Sequence, residues 1–335
     1  MMIAILTGSC PRQSKFDNRD VMNMKRLGYL GPPGTFTQLA AEELISRLDN
    51  YSRISCQEIP DLIQAVDRRE IDLAVVPIEN SLEGSVNVTL DYLAHKVSLQ
   101  IVGEIILPIN QQLIAGKGIT ISDIEEIYSH PQALAQCRDY LQKLSDSCQI
   151  CRVSSTAEAV ELVSRGQEDS ATVRAAIGSR LAARLNQLEI IAADIQDNDS
   201  NWTRFVVLSR SEDSRLEELI SSESAEEKEN YKTSIICSPI KNRPGILHEM
   251  LAEFASRNIN LTRIESRPTR KMLGDYLFFI DFTGHLEQPQ IKEIITGLKQ
   301  KTSHLKILGS YSRLSAGLEQ EDLEEGRTHE INQFA

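Results

Sequence analysis

Short apolar runs alternate with amphipathic stretches along residues 25–209. Apolar runs between turn signals predict β-strands, and longer stretches of helical periodicity predict helices. This alternation favours an α/β fold with a largely parallel sheet. Two long strand-like runs, 99–107 and 188–194, divide the region and predict two lobes with a cleft between them. The other strands are expected at 26–30, 52–56, 73–77, 126–129, 149–153, 171–173 and 203–209, and helices at 37–48, 60–69, 86–95, 131–143, 155–165 and 175–185.

A second alternation, in the order β-α-β-β-α-β, begins at residue 232. That order is typical of the ferredoxin-like fold. We therefore expect a larger domain over 25–210 and a smaller one over 231–314. The segments expected outside them are an irregular leader at 1–24, an acidic linker at 211–230 and an acidic tail at 315–335. The small domain is predicted to hold strands at 232–238, 259–265, 275–283 and 304–310, and helices at 244–257 and 288–300.

The net charge of −12 is concentrated in two segments. The expected linker carries a net charge of −6 and the expected tail a net charge of −5, so the rest of the chain is close to neutral. Segments this acidic and this poor in large apolar residues are typical of solvated linkers and disordered tails. A nucleic-acid-binding protein would carry a basic patch or stripe, so no nucleic-acid partner is expected.

The six cysteines do not form a disulfide framework in a chain of 335 residues. Cys148 and Cys151 are three apart in a predicted strand, so their side chains point to opposite faces and suit neither a metal site nor a redox pair. Unpaired cysteines favour a reducing cytoplasm as the location. Residues 1–8 are apolar but too few for a signal peptide. Since no run of about 18 apolar residues occurs, no membrane partner is expected.

Small hydroxyl- and amide-bearing residues open several of the predicted helices, in segments 31–37, 77–81, 129–132 and 154–156. Such residues are ordinary N-caps, but helix N-termini also offer backbone N–H groups and a positive dipole end. In an open α/β sheet these junctions gather at the carboxyl ends of strands, where ligands bind. Their convergence predicts a small anionic ligand. A nucleotide is not expected, because the chain lacks a glycine-rich phosphate-binding motif.

The segment Asn201–Phe205 joins a polar stretch to an apolar strand. Thr203 and Arg204 therefore lie at the start of a strand that borders the region between the lobes. Position alone leaves two interpretations open: a strand-initiating threonine beside a surface arginine, or a pair of functional side chains. An arginine suits carboxylate binding, because its planar guanidinium can donate to both oxygens.

Several motifs together resemble the ordered motif set of the prephenate dehydratases. They are LGPPGTFT at 30–37, VVPIENSLEGSV at 75–86, YSHPQALAQC at 128–137, AAIGSRLAA at 175–183 and NWTRF at 201–205. In the small domain, RPGILHEML at 243–251 and IESRPTR at 264–270 resemble the phenylalanine-binding ACT domain attached to these enzymes.

This resemblance implies a two-lobed catalytic fold similar to type II periplasmic binding proteins, followed by a ferredoxin-like ACT domain. It implies the conversion of prephenate to phenylpyruvate, CO2 and water in phenylalanine biosynthesis, with neither a cofactor nor a metal ion. L-Phenylalanine is the implied allosteric effector. It would bind between ACT domains of two subunits, so a homodimer or homotetramer is expected.

The resemblance also implies three groups of site residues. The catalytic group is Thr203, Arg204, Glu79, Asn80, Ser129 and Gln136. The substrate-binding group is Gly34, Thr35, Phe36, Ser81, Asn201 and Phe205. The effector-binding group is Gly245, Ile246, Leu247, Glu265, Ser266 and Arg267.

Chemistry suggests a role for three of these side chains. The pKa of a threonine hydroxyl is too high for a general acid, so Thr203 is expected to donate a hydrogen bond to the departing ring oxygen. Arg204 is expected to hold the pyruvyl carboxylate, since an ion pair to the ring carboxylate would stabilise the charge that leaves as CO2. Glu79 is the only strong acid in the group and is one candidate for an indirect proton source.

Three alternatives follow from the same sequence. A solute-binding or sensory protein would share the two-lobed architecture, but it leaves Thr203, Arg204 and Phe205 unexplained. An arogenate dehydratase would use the same motifs on the aminated substrate. A bifunctional enzyme with chorismate mutase activity would need a helical domain upstream, and the irregular residues before the first strand are too few for it.

Overall fold

The computed structural model describes residues 24–48, 50–144, 148–166, 172–210, 231–270 and 275–314. These residues form two lobes and a C-terminal unit, each a sheet with helices. The predicted acidic linker and acidic tail, and the predicted leader as far as residue 23, lie outside the described residues. Among the helices that are described, none is long and apolar enough to cross a membrane.

The first lobe is a sheet with helices on both faces. Its elements are β1 Lys25–Leu30, α1 Phe36–Ile45, β2 Tyr51–Cys56, α2 Ile59–Asp67, β3 Leu73–Asn80, β4 Gly84–Ser85, α3 Asn87–His95, β5 Leu99–Pro108 and, much later in the chain, β11 Trp202–Arg210. The strand order is β5-β11-β3-β1-β2, with β4 paired to β3. β11 runs antiparallel between β3 and β5, whereas β1 is parallel to β2 and β3. Helix α1 packs on one face of the sheet, and α2 and α3 pack on the other.

The second lobe is a smaller sheet inserted between β5 and β11. Its elements are β6 Gln112–Ala115, a 3-10 turn at Ile121–Asp123, β7 Glu126–Ser129, α4 Pro131–Gln136, α5 Arg138–Gln142, β8 Gln149–Arg152, α6 Thr156–Arg165, β9 Arg174–Gly178, α7 Arg180–Leu185 and β10 Glu189–Ala192. The strand order is β10-β6-β9-β7-β8. The chain enters this lobe after β5 and leaves it before β11, so two connections join the lobes. The predicted two-lobed α/β architecture is confirmed.

The C-terminal unit has the predicted ferredoxin-like arrangement. Its elements are β12 Tyr231–Pro239, α8 Ile246–Ala255, β13 Leu261–Pro268, β14 Tyr276–Thr283, α9 Pro289–Lys301 and β15 Thr302–Leu314. Its strands form an antiparallel sheet in the order β13-β14-β12-β15. Both helices pack on one face of this sheet, where Met250 and Phe254 of α8 meet Ile291 and Leu298 of α9.

The C-terminal unit shares a sheet and a hydrophobic core with the first lobe. Strand β15 pairs with β5 through Arg313 opposite Glu104, which makes the two sheets continuous. At Gly309 a Cβ atom would lie 2.1 Å from the carbonyl oxygen of Ile101, so only glycine permits this approach. Phe279 and Tyr311 are buried in one core with α2 and α3. The unit is therefore joined to the first lobe by packing as well as by chain connectivity.

Three element predictions in the second lobe are wrong. A strand was expected at 171–173 and one helix at 175–185, but the strand β9 takes up 174–178 and α7 begins only at Arg180. Alanine-rich segments favour helix in isolation, and the central position of β9 between β6 and β7 overrides that preference. The helix expected at 131–143 is divided at Cys137, whose φ of −116° and ψ of 25° are not helical.

Candidate active site

The two connections between the lobes lie side by side at the base of the cleft. The backbone N–H of Ile109 donates to the carbonyl of Asn201 at 2.8 Å. Farther along, the N–H of Ile195 donates to the carbonyl of Gln111 at 2.9 Å. Thr203 follows this double connection directly, as the second residue of β11. The site predicted from the sequence is therefore built where the lobes meet.

Asn80 holds Thr203 in a defined hydrogen-bond orientation. The Asn80 Oδ1 atom accepts from the backbone N–H groups of Leu82 and Glu83, both at 3.0 Å, which assigns the other amide atom as nitrogen. That Nδ2 donates to Thr203 Oγ1 at 2.9 Å and to Asn201 Oδ1 at 2.8 Å. Because Asn80 supplies the hydrogen, the Thr203 hydroxyl keeps its own proton for another acceptor.

Ser81 fixes the start of β11 against the end of β3. Its hydroxyl donates to the carbonyl of Ser200 at 2.8 Å and accepts from the N–H of Trp202 at 2.9 Å. Its backbone N–H donates to the carbonyl of Trp202 at 2.8 Å. Ser81 therefore fixes the strand that carries Thr203.

Two buried amide atoms near Thr203 lack hydrogen-bond partners within the described parts of the chain: Asn201 Nδ2 and Gln111 Oε1. Asn201 and Gln111 are 1% and 2% exposed. A buried polar atom without a partner is costly, so such atoms are expected to be satisfied by a bound molecule or by water. Gln111 was missed by sequence reasoning; its signal was an amide pair, Gln111-Gln112, directly after the long strand that crosses between the lobes.

The glycine-rich loop before α1 touches the second lobe. The Ser179 hydroxyl, at the N-terminus of α7, donates to the carbonyl of Gly34 at 2.6 Å. Thr35 caps α1, since its Oγ1 accepts from the N–H of Gln38 at 3.3 Å. Phe36 packs at the edge of the first lobe's core. Gly34 and Thr35 thus lie at the contact between the lobes, whereas Phe36 mainly anchors the loop.

Gly34→Ala is expected to force the lobes apart and to lower kcat/KM at least about tenfold. A Cβ atom there would lie 2.9 Å from the Cβ of Ala182, and the φ of +95° is strained for any L-residue. Steady-state kinetics of the folded variant check this. Gly118→Ala is the matched control, because its φ of +76° imposes a similar strain while nothing lies within 4 Å of the added atom. If kcat/KM fell equally in both variants, backbone strain alone would explain the effect.

Ser129 and Gln136 are contributed by the second lobe. Ser129 is fully buried, and its hydroxyl donates to the carbonyl of Ile177 at 2.8 Å, so its proton is used within the sheet. Gln136 ends α4, and its Oε1 accepts from Gln111 Nε2 at 3.4 Å. Gln136 therefore borders the group around Gln111, whereas Ser129 contributes a structural hydrogen bond.

Arg204 points away from Thr203 into a buried polar network, which revises its expected role as a carboxylate clamp. Its Nε donates to Glu104 at 2.7 Å, its Nη1 to Asp281 at 2.6 Å and its Nη2 to the Tyr311 hydroxyl at 2.8 Å. Lys232 Nζ also donates to Glu104, at 2.7 Å. The side chains alternate along a strand, so Thr203 and Arg204 necessarily face opposite sides of β11. A guanidinium with these partners is not positioned to hold a substrate carboxylate.

Arg204 keeps two buried carboxyl groups ionised. Burial alone would raise the pKa of Asp281, but Arg204 and the hydrogen bond from Ser234 outweigh burial and lower it. The pKa of Glu104 is likewise lowered, because Arg204 and Lys232 outweigh the effect of burial. The same burial raises the pKa of the Tyr311 hydroxyl, which stays protonated. The network is thus ionic and nearly closed to solvent.

Stability is expected to fall in acid because of these two carboxyl groups. Their pKa values are lowered in the folded protein, so their contribution is fully present above the ordinary values of 3.8 and 4.5 and is lost as pH falls from there through the lower folded-state pKa values. The thermal unfolding midpoint should therefore begin to drop below about pH 5 and continue to fall in stronger acid. Asp281→Asn should flatten this drop relative to the parent, and an unchanged pH dependence would contradict the assignment.

Glu79 and Phe205 also lie away from the Thr203 hydroxyl. Glu79 is half-exposed and faces Arg204 Nη1 at 3.5 Å and Arg263 Nε at 3.7 Å. It shares the arginine face of the strands, so the geometry does not favour direct proton donation at Thr203. Phe205 is 2% exposed and packs against Ala41 and Leu44 of α1. We therefore revise Phe205 from a substrate-binding residue to a core residue.

Residues 27–213 match the family model described as prephenate dehydratase. The chain belongs to this family. The C-terminal unit contains a match to the ACT domain family over residues 240–300. A prephenate dehydratase of Methanocaldococcus jannaschii is 38% identical over 288 residues, which cover 86% of this chain and 98% of the relative.

Solved structures agree with this family assignment. A prephenate dehydratase from Arthrobacter aurescens in complex with L-Phe is 36% identical, with a TM-score of 0.73 over 86% of this chain and 90% of that one. GqqA, described as a novel type of quorum quenching acylase, is 28% identical, with a TM-score of 0.72 over 86% of this chain and 98% of that one. The prephenate dehydratase fold therefore extends over both lobes and the ACT domain.

In the ACT domain of this prephenate dehydratase family member, three of the expected effector residues lie on β13, and they face opposite sides of that strand. Ser266 is exposed on the face of the sheet that carries α8, since neighbouring Ile264 pairs with Ile280 of the core beneath α8. Glu265 and Arg267 face the first lobe instead. Glu265 contacts Ser85, and Arg267 Nη2 donates to Asp91 of α3 at 2.8 Å.

Gly245 comes directly before α8, in a backbone conformation that favours glycine and with free space beside it. Its φ is +82°, and nothing lies within 4 Å of the place where a Cβ atom would be. The N–H groups that open a helix suit an anionic group, although that of Ile246 already donates to the carbonyl of Arg243 at 3.3 Å. The structure thus places Gly245 at the start of α8, Ser266 on the helix face of the sheet, and Glu265 and Arg267 at the interface between the domains.

Proposed function

We propose that this chain converts prephenate to phenylpyruvate, CO2 and water in the cleft between the lobes. The observation that carries the proposal is the hydrogen bond from Asn80 to Thr203, which leaves the threonine proton available to a leaving oxygen. In the reaction the ring C–O bond and the bond to the ring carboxylate break. The electron pair of the latter completes the aromatic ring, and the departing hydroxide takes up a proton to become water.

Aromatisation supplies the driving force, so the protein mainly has to place the substrate and stabilise the departing oxygen. Thr203 is proposed as the donor to that oxygen. The oxygen becomes more negative as the bond breaks, so a donor fixed beforehand by Asn80 stabilises the transition state more than the substrate. The proton that the departing oxygen takes up can come from water or from a group of the substrate itself.

We propose that neutral amides, rather than Arg204, receive polar groups of the substrate. Asn201 Nδ2 and Gln111 Oε1 are two buried amide atoms without a hydrogen-bond partner among the described residues. The ring carboxylate must lose its charge as CO2. Asn201 Nδ2 is a neutral donor and can hold this carboxylate without the strong stabilisation of its charge that an ion pair would give. Gln111 Oε1 is an acceptor, so it would receive a donor group of the substrate and not the carboxylate.

We also propose L-phenylalanine as the effector and a homodimer or homotetramer as the assembly. The support is the Arthrobacter aurescens relative solved with L-Phe. A second support is a group of exposed apolar side chains on the ACT domain: Ile240 at 54%, Ile264 at 45% and Tyr276 at 47% exposure. Exposed apolar residues on this domain suit an interface with a second ACT domain. The proposed location is the cytoplasm.

A side-by-side assay of the purified protein with prephenate and with arogenate, each with and without L-phenylalanine, tests these proposals. We expect turnover of prephenate and a change of its rate on addition of phenylalanine. A preference for arogenate would change the substrate but leave the chemistry in place. Binding of an amino acid without turnover of either substrate would favour a sensor and contradict the enzymatic proposal. Sedimentation of the same samples tests the assembly.

A further inference from the structure

We propose that the ACT domain positions Thr203 through Arg204, with Asp281 and Tyr311 as positioning residues. This inference rests on the proposed dehydratase reaction and adds a physical connection between the regulatory domain and the reacting site. It assigns to Arg204 a role other than substrate binding.

The connection begins with two neighbouring pairs of residues on strands β3 and β11. Thr203 lies opposite Asn80, and Arg204 lies opposite Glu79. The first pair forms the hydrogen bond that orients the threonine hydroxyl, at 2.9 Å. The second pair lies on the other face, where the Arg204 guanidinium is 8% exposed. Any shift of Arg204 along or across the strand therefore moves the backbone that carries Thr203.

The ACT domain supplies two of the four side chains that hold the Arg204 guanidinium, and the first lobe supplies Glu104 and Glu79. Asp281 on β14 accepts from Nη1 at 2.6 Å, and Tyr311 on β15 accepts from Nη2 at 2.8 Å. Ser234 on β12 donates to Asp281 at 2.5 Å. Since a serine hydroxyl has one proton, Tyr311 donates its own proton to Ser234, 2.6 Å away. Each buried group has a definite partner, so the network specifies one position for Arg204.

The network also reaches the strand of the expected effector residues. Glu79, opposite Arg204, lies 3.7 Å from Arg263 Nε on β13. Arg263 contacts Glu265, and Arg263 Nη2 donates to Ser85 of the first lobe at 2.6 Å. A ligand that displaces β13 would change the contacts of Arg263 and Glu265. The change would pass to Glu79 and Arg204, and from Arg204 to Thr203.

Because the ACT domain and β11 share a packed core, a displacement of β13 is expected to move β11 and not to be absorbed locally. Tyr311 and Phe279 of the ACT domain are packed in the same core as Val206 and Leu208 of β11. Close-packed interiors and closed ionic networks are stiff, so a shift on one side is accommodated by a shift on the other.

The test compares Tyr311→Phe and Asp281→Asn with a control, Tyr231→Phe, in the full chain. Tyr311→Phe removes one hydroxyl from the network and keeps the buried ring. Tyr231 lies on β12 of the same sheet and stacks edge-on against His285, outside the network. For each protein we measure kcat and KM for prephenate, the response to L-phenylalanine, the unfolding midpoint, and hydrogen exchange of the peptide covering 201–210.

We expect Tyr311→Phe to lower kcat about three- to tenfold, with KM within about twofold and the folded state retained at the assay temperature. The rate change caused by L-phenylalanine should shrink by a similar factor, and amide exchange in 201–210 should increase. Tyr231→Phe should match the parent in all of these. If Asp281→Asn fails to fold, Tyr311→Phe decides the question.

Parent-like kcat, parent-like phenylalanine response and parent-like exchange in folded Tyr311→Phe would overturn the proposal. A lower unfolding midpoint with unchanged kcat and unchanged phenylalanine response would also overturn it, because the network would then be structural only. Lack of turnover by the parent would refute the dehydratase proposal separately. In that case the exchange of 201–210 decides whether Arg204 links the two domains.

Discussion

Thr203→Ala is expected to lower kcat for prephenate by about 100- to 1,000-fold while the protein stays folded. Removal of a single preorganised donor to a developing oxyanion costs about this much in other enzymes. The Thr203 hydroxyl accepts a hydrogen bond from Asn80 Nδ2 at 2.9 Å and keeps its own proton, so it is such a donor. Steady-state kinetics with prephenate, together with a thermal unfolding curve, measure both quantities.

Thr203→Ser is the matched control for this prediction. Serine retains the hydroxyl and loses only a methyl group, so kcat should stay within about tenfold of the parent. KM should change little in Thr203→Ala, because the donor acts mainly on the departing oxygen in the transition state. A Thr203→Ala variant with parent-like kcat would remove Thr203 from the catalytic centre.

Arg204→Met is expected to lower the free energy of unfolding by about 3–5 kcal/mol, because it leaves two buried carboxylates without their guanidinium. Glu104 and Asp281 are 2% and 3% exposed, so water cannot replace the lost ion pairs. Methionine keeps much of the apolar volume of the arginine side chain, so the loss of stability would come from the missing charge and not from a cavity. Urea unfolding of the variant and the parent measures the difference.

Arg243→Met is a control with the same substitution at an exposed ion pair. Arg243 binds both carboxylate oxygens of Glu249, at 2.7 and 2.8 Å, but its side chain is 50% exposed. Exposed pairs contribute little, so this variant should unfold like the parent. An Arg204→Met variant of parent-like stability, with KM for prephenate raised by orders of magnitude, would restore the interpretation of Arg204 as a carboxylate clamp.

The pattern of apolar residues predicted the fold well wherever the buried positions recur with the period of a strand or a helix. Both lobes and the β-α-β-β-α-β unit were expected from alternating apolar segments, and most strands lie within a few residues of their expected positions. β9 was the main error, because Arg174–Gly178 contains alanines that local preference assigns to a helix. Only the neighbouring strands β6 and β7 make that segment a strand.

For the candidate site, the sequence indicated several of the residues but not the contacts that each side chain makes. The motif resemblance assigned Asn80, Asn201 and Thr203 to the site, and the structure joins Asn80 to both of the others by hydrogen bonds. Ser81, also assigned to the site, bonds instead to the backbone of Ser200 and Trp202. The partners of each side chain were not predictable. Whether Arg204 meets a substrate or Asp281 depends on contacts between residues 77 positions apart in the chain. Gln111 was missed because an amide pair after a strand is a weak signal, and only the burial of its side chain singles it out.

The sequence by itself determined the fold class, the two-domain organisation and the family, since these follow from periodicity and from the order of short motifs. Tertiary structure alone decided which side of β11 each functional residue serves. Successive side chains on a strand face opposite ways, so Thr203 remains beside Asn80 while Arg204 belongs to the ACT interface. The same alternation on β13 separated Ser266 from Glu265 and Arg267. Periodicity shows that two faces exist, but only the packing of the domains shows what covers each of them.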